Sequence, residues 1–122
     1  MKLLYAEDND DNVYLVKLRL GEIEGYEVLI APDGEVACRM AREHRPDVIL
    51  MDLELPVLTG WDAARRLKSD PETATIPIVA LSAHALAGTR EGALAAGCDE
   101  FDTKPIDFDR LIAKLIRLAG NA

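Results

Sequence analysis

The sequence is poor in the residues and segments that mark several common protein classes. Its two cysteines, Cys38 and Cys98, lie far apart in the chain, which offers neither a disulfide framework nor the paired spacing of a zinc site. We predict that both cysteines are small, buried apolar residues in a reducing compartment. No apolar run approaches the roughly 18–20 residues that span a bilayer, and Glu7 and Asp8 interrupt the apolar start before a signal-peptide core can form. We therefore expect no membrane association and a cytoplasmic location.

Basic residues are also scarce, since 14 Lys and Arg residues face 22 Asp and Glu residues, for a net charge of −8. Nucleic acids and anionic membranes are bound through basic patches, so we predict neither as a partner. A hydrophobic content of 49% with 30% charged residues is typical of a soluble globular protein. The length predicts one domain over residues 1–122, with no output domain.

Short apolar runs of strand length recur along the chain. Polar residues do not alternate through the first four, which predicts strands covered on both faces, as in a parallel sheet. A fifth run is weaker. The runs are Leu3–Ala6, Val28–Ile30, Val48–Met51, Ile78–Leu81 and, more weakly, Phe101–Thr103.

Segments with helical spacing separate these runs. The fourth of them carries Gly88 and Gly92, each of which costs on the order of 1 kcal/mol relative to alanine, so we expect it to be the least rigid. Strand–helix alternation repeated five times predicts an α/β fold, a flavodoxin-like (βα)5 doubly wound five-stranded parallel sheet with helices on both faces. The helical segments are the stripe Val13, Val16, Leu20 and Ile23; Asp33-Gly34 to about His44; Trp61–Ser69; Leu86–Ala96; and Phe108 to Ile116, capped by Asp107.

Polar residues follow the predicted strands at the ends where such sheets carry their sites. Glu7 and Asp8 follow the first strand, Asp52 ends the third, Ser82 follows the fourth and Lys104 follows the fifth. Clustered carboxylates repel one another unless a cation lies among them, and hard oxygen ligands suit Mg²⁺ shared with a phosphoryl group. A lysine and a hydroxyl can neutralise the phosphoryl oxygens. Asp52 is the natural nucleophile, because carboxylates form aspartyl phosphates.

These residues stand in motifs that resemble the response-regulator receiver family of bacterial two-component signalling. The resemblance extends from Leu3 to about Leu118 and includes the intervals from Asp52 to Ser82 and from Ser82 to Lys104. The motifs are Ala6-Glu7-Asp8-Asn9, Ile49-Leu50-Met51-Asp52-Leu53-Glu54-Leu55-Pro56, Thr59-Gly60, Ala80-Leu81-Ser82-Ala83 and Thr103-Lys104-Pro105.

The resemblance implies a CheY-like fold and a role for each site residue. Asp52 would be the phosphoacceptor, with Lys104 and Ser82 contacting the phosphoryl group. Mg²⁺, for which Mn²⁺ would substitute, would be held by Asp8, Asp52 and the backbone carbonyl of Glu54, with Glu7 acting through a metal-bound water. No organic cofactor is expected. The Lys104–Pro105 bond would be cis.

The resemblance also implies a switch in which the Ser82 hydroxyl moves to the phosphoryl group and the Phe101 ring rotates inward. Phosphorylation would then alter the surface formed by the fourth helix, the fifth strand and the fifth helix. The side chain of Glu54 should face the mouth of the site, where we expect it and His84 to affect how water reaches the acyl phosphate. The alternative for Glu54 is a solvated residue without such a role.

Two further signals have ordinary explanations. The acidic run Asp8–Asn12 superficially matches a calcium loop, but Val13 stands where glycine is needed and Arg19 where glutamate is needed. We predict instead that Asp10, Asp11 and Asn12 start the first helix, where acidic residues suit the helix dipole. Trp61 is either a partly exposed packing residue or an anchor for a partner.

The favoured function is a single-domain response regulator, a phosphoprotein that catalyses only its own phosphotransfer and slow autodephosphorylation. It would accept a phosphoryl group from a sensor histidine kinase and then bind an unknown protein target, as a monomer or a phosphorylation-dependent homodimer. A second interpretation is a relay member or phosphate sink that passes the group to a histidine phosphotransfer protein. A third, an enzyme on the same fold such as a flavodoxin-like redox protein or small phosphatase, is disfavoured because no glycine-rich phosphate loop follows the first strand.

Overall fold

Five parallel strands form one sheet in the order β2-β1-β3-β4-β5 in the computed structural model, which describes residues 1–84 and 86–119. The predicted (βα)5 architecture is confirmed. The strands are β1 (Lys2–Ala6), β2 (Glu27–Ala31), β3 (Val48–Asp52), β4 (Ile78–Ser82) and β5 (Glu100–Thr103), and the helices are α1 (Asp10–Gly21), α2 (Gly34–His44), α3 (Gly60–Ser69), α4 (Thr89–Ala95) and α5 (Phe108–Ala119).

The sheet is covered on both faces because side chains alternate along each buried strand. Ile49 and Met51 of β3 belong to the hydrophobic cluster that also contains Ala41 of α2 and Leu67 of α3. Val48 and Leu50 of the same strand belong to a second cluster, with residues of α1 and α5. Each fully buried Leu or Ile contributes about 1.5–3 kcal/mol, so the two clusters hold β3 firmly at the centre of the sheet. Within the described residues no helix is both long and apolar enough to cross a membrane.

Helix starts follow the polar residues that precede them. Side-chain oxygens of Asn9, Asp33 and Thr59 accept hydrogen bonds from the backbone N–H three residues later, which satisfies donors that a helix N-terminus leaves open. Asp107 does the same for Arg110 at 3.1 Å, as predicted. Asp10, Asp11 and Asn12 therefore start α1 as predicted, and Asn9 is its N-cap.

The fourth helix is shorter than predicted, because it begins at Thr89 and not at Leu86. Gly88 is its N-cap, with φ +88°, and no side chain caps the helix. The effect expected of Gly88 inside the helix is therefore wrong. Gly92 does lie inside, and a Cβ there would come within 3.2 Å of the Trp61 ring. Trp61 is half-buried and packs against the first hydrophobic cluster, which favours the packing role for it.

A dense charge network joins β5 to α5. Asp102 lies 2.7 Å from the Arg110 guanidinium and 3.3 Å from Lys114 Nζ. Glu100 pairs with Arg117 and lies 3.9 Å from Lys114 Nζ. Two strand carboxylates are thus matched by three helix cations. We call these five residues the β5–α5 network.

Candidate functional site

The predicted site residues meet at the carboxyl edge of the sheet. Glu7 follows β1 and Asp52 ends β3, and these two strands are neighbours at the point where the strand order reverses, which is where open α/β sheets bind ligands. Lys104 follows β5 and reaches the same point. All three line one open cleft of about 670 Å³, together with Asp8 and Glu54.

The close approach of α3 to β3 helps to fix Asp52. A Cβ on Gly60 would lie 2.2 Å from the backbone oxygen of Asp52 and 2.7 Å from Leu53 Cα, so only glycine fits there. Asp52 is 3% exposed. Its Oδ1 accepts a hydrogen bond from the Glu54 N–H at 3.0 Å, and its Oδ2 lies 3.1 Å from Lys104 Nζ. One carboxylate is thereby held at the floor of the cleft.

Glu7 is 2% exposed and is surrounded by hydrogen-bond donors. Lys104 Nζ lies 2.6 Å from Glu7 Oε1, and the Tyr5 hydroxyl donates to the same oxygen at 2.9 Å. The Asn12 amide approaches it at 3.3 Å, and the N–H groups of Asp8 and Asn9 approach the other oxygen at 3.2 and 3.3 Å.

Sequence reasoning missed the supporting roles of Tyr5 and Asn12, since Tyr5 was counted as a strand residue and Asn12 as a helix-start residue. The available signal was a hydroxyl two residues before Glu7, because side chains at i and i+2 of an extended segment share a face.

The electrostatics of the two buried carboxylates differ. Burial raises the pKa of Asp52 to about 6, and the neighbouring Glu7 adds to this against the opposing Glu54 N–H and Lys104. Burial alone would raise the pKa of Glu7, but hydrogen bonds with Lys104, Asp52 and Tyr5 outweigh it and lower that pKa. Burial disfavours the charged form of Lys104, yet Glu7 and Asp52 raise its pKa. Lys104 is therefore held as a cation against Glu7, and Asp52 lacks full compensation.

The acidic residues fit a small divalent cation. Carboxylate oxygens of Glu7, Asp8 and Asp52 lie within 4.8 Å of one another, and hard oxygen donors of this kind suit Mg²⁺. Glu7 is already contacted by five donors, whereas Asp8 is exposed at the cleft. Asp8 and Asp52 are therefore the carboxylates best placed to bind an ion directly, and Glu7 suits a contact through water.

Ser82 lies beside this centre under the side chain of Glu54. Its Oγ is 3.2 Å from each carboxylate oxygen of Glu54 and 3.2 Å from the backbone oxygen of His84, and it accepts a hydrogen bond from the His84 N–H at 3.0 Å. Ser82 is only 1% exposed. The Glu54 side chain faces the cleft as expected, and His84 lines the same cleft.

The remaining predicted features have mixed outcomes. The Lys104–Pro105 peptide bond is cis, as the resemblance implied. Phe101 is 8% exposed and belongs to the first hydrophobic cluster, and its role in a switch with Ser82 stays a prediction. Cys38 and Cys98 are free thiols, half-buried and buried respectively.

Comparison with known proteins agrees with this geometry. The profile of the response regulator receiver domain matches residues 3–116. The polar-differentiation response regulator DivK of Brucella anthropi is 38% identical over 120 residues, which cover 98% of this chain and 97% of that protein.

Two solved structures extend the comparison. The receiver domain of the sensor histidine kinase PA1611 from Pseudomonas aeruginosa PAO1, which holds a magnesium ion in its active site cleft, is 39% identical with a TM-score of 0.89, over 98% of this chain and 97% of that one. The chemotaxis protein CheY4 of Vibrio cholerae is 28% identical with a TM-score of 0.87, over 96% and 97% of the two chains.

Proposed function

The chain belongs to the response regulator receiver domain family of two-component signalling, and from that premise we propose that Asp52 accepts a phosphoryl group in a Mg²⁺-dependent reaction. A carboxylate oxygen of Asp52 attacks the phosphorus of the donor, a phosphohistidine of a sensor histidine kinase. The new O–P bond forms as the N–P bond breaks, and the electron pair leaves with the imidazole. The protein is thus a signalling phosphoacceptor that acts on itself and slowly releases phosphate.

The observation that carries this proposal is the pairing of a buried, incompletely compensated Asp52 with Lys104 Nζ at 3.1 Å. A compact cation beside the nucleophile can neutralise a phosphoryl oxygen as charge develops. The Ser82 hydroxyl can donate to a second oxygen.

We propose that Asp8, Asp52 and the Glu54 backbone carbonyl hold Mg²⁺, with Glu7 contacting it through water and Mn²⁺ as a substitute. The ion would screen the charge of the phosphoryl oxygens from the site carboxylates. Residues 1–122 would act as one receiver unit in the cytoplasm.

The test is incubation with acetyl phosphate and Mg²⁺, followed by intact-mass measurement of wild type and Asp52→Asn. We expect the mass of one phosphoryl group on wild type, none on the variant, and none on wild type when EDTA replaces Mg²⁺. Equal labelling of wild type and Asp52→Asn would refute the proposal.

Output is proposed to pass through the face made by α4, β5 and α5. The α4 helix has no side-chain cap and buries only Ala93 among its own residues, whereas the β5–α5 network fixes α5 to the sheet. Helices with few buried contacts open at low free energy, so α4 is the element that phosphorylation can most readily shift to change the binding of a protein target or of a second copy. Amide exchange over residues 89–95, with and without beryllofluoride, tests this; identical exchange would argue against it.

A relay function is the second candidate. The receiver domain that is 39% identical belongs to a sensor histidine kinase, whereas DivK is a response regulator. Similar receiver domains therefore occur both within kinases and in separate regulators, and the first arrangement favours a relay. Rapid transfer of the phosphoryl group from Asp52 to a histidine phosphotransfer protein, without altered binding to other proteins, would favour the relay.

A further inference from the structure

An anionic side chain already lies against two hydrogen-bond donors of the site. The Glu54 carboxylate is 3.2 Å from Ser82 Oγ through both oxygens, and Glu54 Oε1 is 3.4 Å from the backbone nitrogen of Ala83. We call Ser82 Oγ and the Ala83 N–H the Ser82–Ala83 donor pair. A negatively charged group at such a pair is favoured by charge-assisted hydrogen bonds.

The same donor pair lies next to the proposed nucleophile. Asp52 is the register partner of Leu81, the residue before Ser82, and the Glu54 N–H donates to Asp52 Oδ1. Glu54 and Ala83 line the cleft, but the buried Ser82 does not. The Glu54 carboxylate thus lies at the cleft that a phosphoryl donor must enter and contacts the buried Ser82 hydroxyl.

We propose that the Glu54 carboxylate is an internal competitor that occupies, in the unphosphorylated protein, the anion subsite formed by the Ser82–Ala83 donor pair. This inference rests on the proposed phosphorylation of Asp52. The oxygens of the incoming phosphoryl group take the same donors, so Glu54 must leave them before the phosphoryl group is fully bound. Glu54 thereby slows phosphorylation, although the Ser82 hydroxyl also has the backbone oxygen of His84 within 3.2 Å as an acceptor.

The chemistry predicts the direction of the effect. When the Asp52 oxygen attacks acetyl phosphate, the O–P bond forms, the P–O bond to acetate breaks, and acetate leaves with the electron pair. The phosphoryl oxygens remain negative throughout, so a carboxylate on the same donors opposes the step through both repulsion and competition. A single charge pair at about 4 Å is worth on the order of 1 kcal/mol even in water, or about fivefold in rate.

The test compares the rates at which Glu54→Ala, Glu54→Gln and wild type are phosphorylated at subsaturating acetyl phosphate with Mg²⁺. We expect Glu54→Ala to react at least about fivefold faster than wild type, and Glu54→Gln to lie between them because its amide still fills the subsite without charge. Asp11→Asn is the matched control, since it removes one exposed charge that also lines the cleft but is not among the groups that contact the donor pair. Its rate should change by less than about twofold.

A double-mutant cycle separates competition from general repulsion. In a Ser82→Ala background the acceleration by Glu54→Ala should shrink, because the donor that both anions share is gone. In unphosphorylated, Mg²⁺-free protein, Glu54→Ala should also shift the Ala83 amide resonance. Wild type that is labelled at the same rate as Glu54→Ala, or an acceleration undiminished by Ser82→Ala, overturns this inference alone; absence of any labelling overturns the proposed function.

Discussion

The molecule contains two clusters of strand-end carboxylates, and they are balanced in opposite ways. The first cluster, at the carboxyl edge of the sheet, consists of Glu7, Asp8 and Asp52. Among the described residues Lys104 is the one cation that contacts it, through Glu7 and Asp52. In the β5–α5 network, two carboxylates share three cations. Both clusters contain buried acids, yet only the first is short of positive charge.

The pKa directions follow this difference. The pKa of Asp102 is lowered. Burial alone would raise it, but hydrogen bonds from Arg110 and from the Thr103 N–H outweigh the effect of burial. For Asp52 burial wins, and the pKa rises to about 6. Perturbed carboxyls of the second kind are common at functional sites. The compensated network therefore suits a structural role, and the deficient cluster suits a site that gains stability when a cation or an electrophilic phosphorus arrives.

The largest effect is expected from removing Lys104, the cation that contacts the site carboxylates. Lys104→Gln should slow phosphorylation by acetyl phosphate by about 10²–10³-fold, the effect typical of losing one preorganised charge-stabilising donor. The readout is the labelling rate by mass spectrometry. Lys114→Gln removes a lysine from the β5–α5 network instead and should leave that rate within about twofold. Equal losses in the two variants would mean that the clusters do not differ in function.

The affinity for Mg²⁺ should depend on pH, because Asp52 lies in the carboxylate cluster that is short of positive charge. The raised pKa of Asp52 means that below about pH 6 a proton competes with Mg²⁺ for the carboxylate. Affinity should therefore fall as the pH drops, by up to about tenfold per unit. Isothermal titration calorimetry at pH 7.5 and pH 5 measures this. An unchanged dissociation constant would show that Asp52 is not a ligand.

The smallest expected effect concerns the backbone next to the site. Val57 has φ +69° and is 80% exposed, and the Leu58 N–H donates to Pro56 oxygen at 2.7 Å across it. This is a γ-turn of the strained, positive-φ form, and β-branched residues are outliers there. Val57→Asn should raise the free energy of unfolding by about 1 kcal/mol.

Urea unfolding checks the Val57 prediction. Arg45→Asn is the control, because Arg45 also has positive φ but ends helix α2, where the left-handed conformation is common. A larger gain at Arg45 than at Val57 would contradict the assignment of strain to the loop beside the site.

Much of the fold was predictable because burial and sequence pattern agree. The apolar runs that include Leu50 and Val79 are covered on both faces, so their lack of alternation correctly indicated parallel central strands. The start of α4 was not predictable from spacing alone. Leu86 matched the helical period but is exposed, because Gly88 takes a left-handed conformation that places the helix start after it.

The sequence predicted which residues form the site but not how their side chains contact one another. Parallel strands bring their carboxyl ends together, so Asp52 and Lys104 could be assigned to one edge from order alone. The contact of Glu54 with Ser82 depends on a side-chain rotamer. The support of Glu7 by Tyr5 depends on the direction in which the chain leaves β1. The β5–α5 network could have been found from Glu100 and Asp102 on one face of a strand and from cations at helical spacing in α5.

The most direct test of the difference between the clusters is a pair of urea unfolding experiments without Mg²⁺, on Asp52→Asn and Asp102→Asn. At pH 7.5, Asp52→Asn should raise the free energy of unfolding by about 2 kcal/mol, and this gain should vanish below about pH 4, where Asp52 is protonated in both states. Asp102→Asn should lower the free energy by about 1–2 kcal/mol at pH 7.5, and its deficit should shrink as the pH falls below about 4. Opposite signs at neutral pH support the account. Destabilisation by both substitutions would contradict it, because Asp52 would then be a compensated structural acid like Asp102.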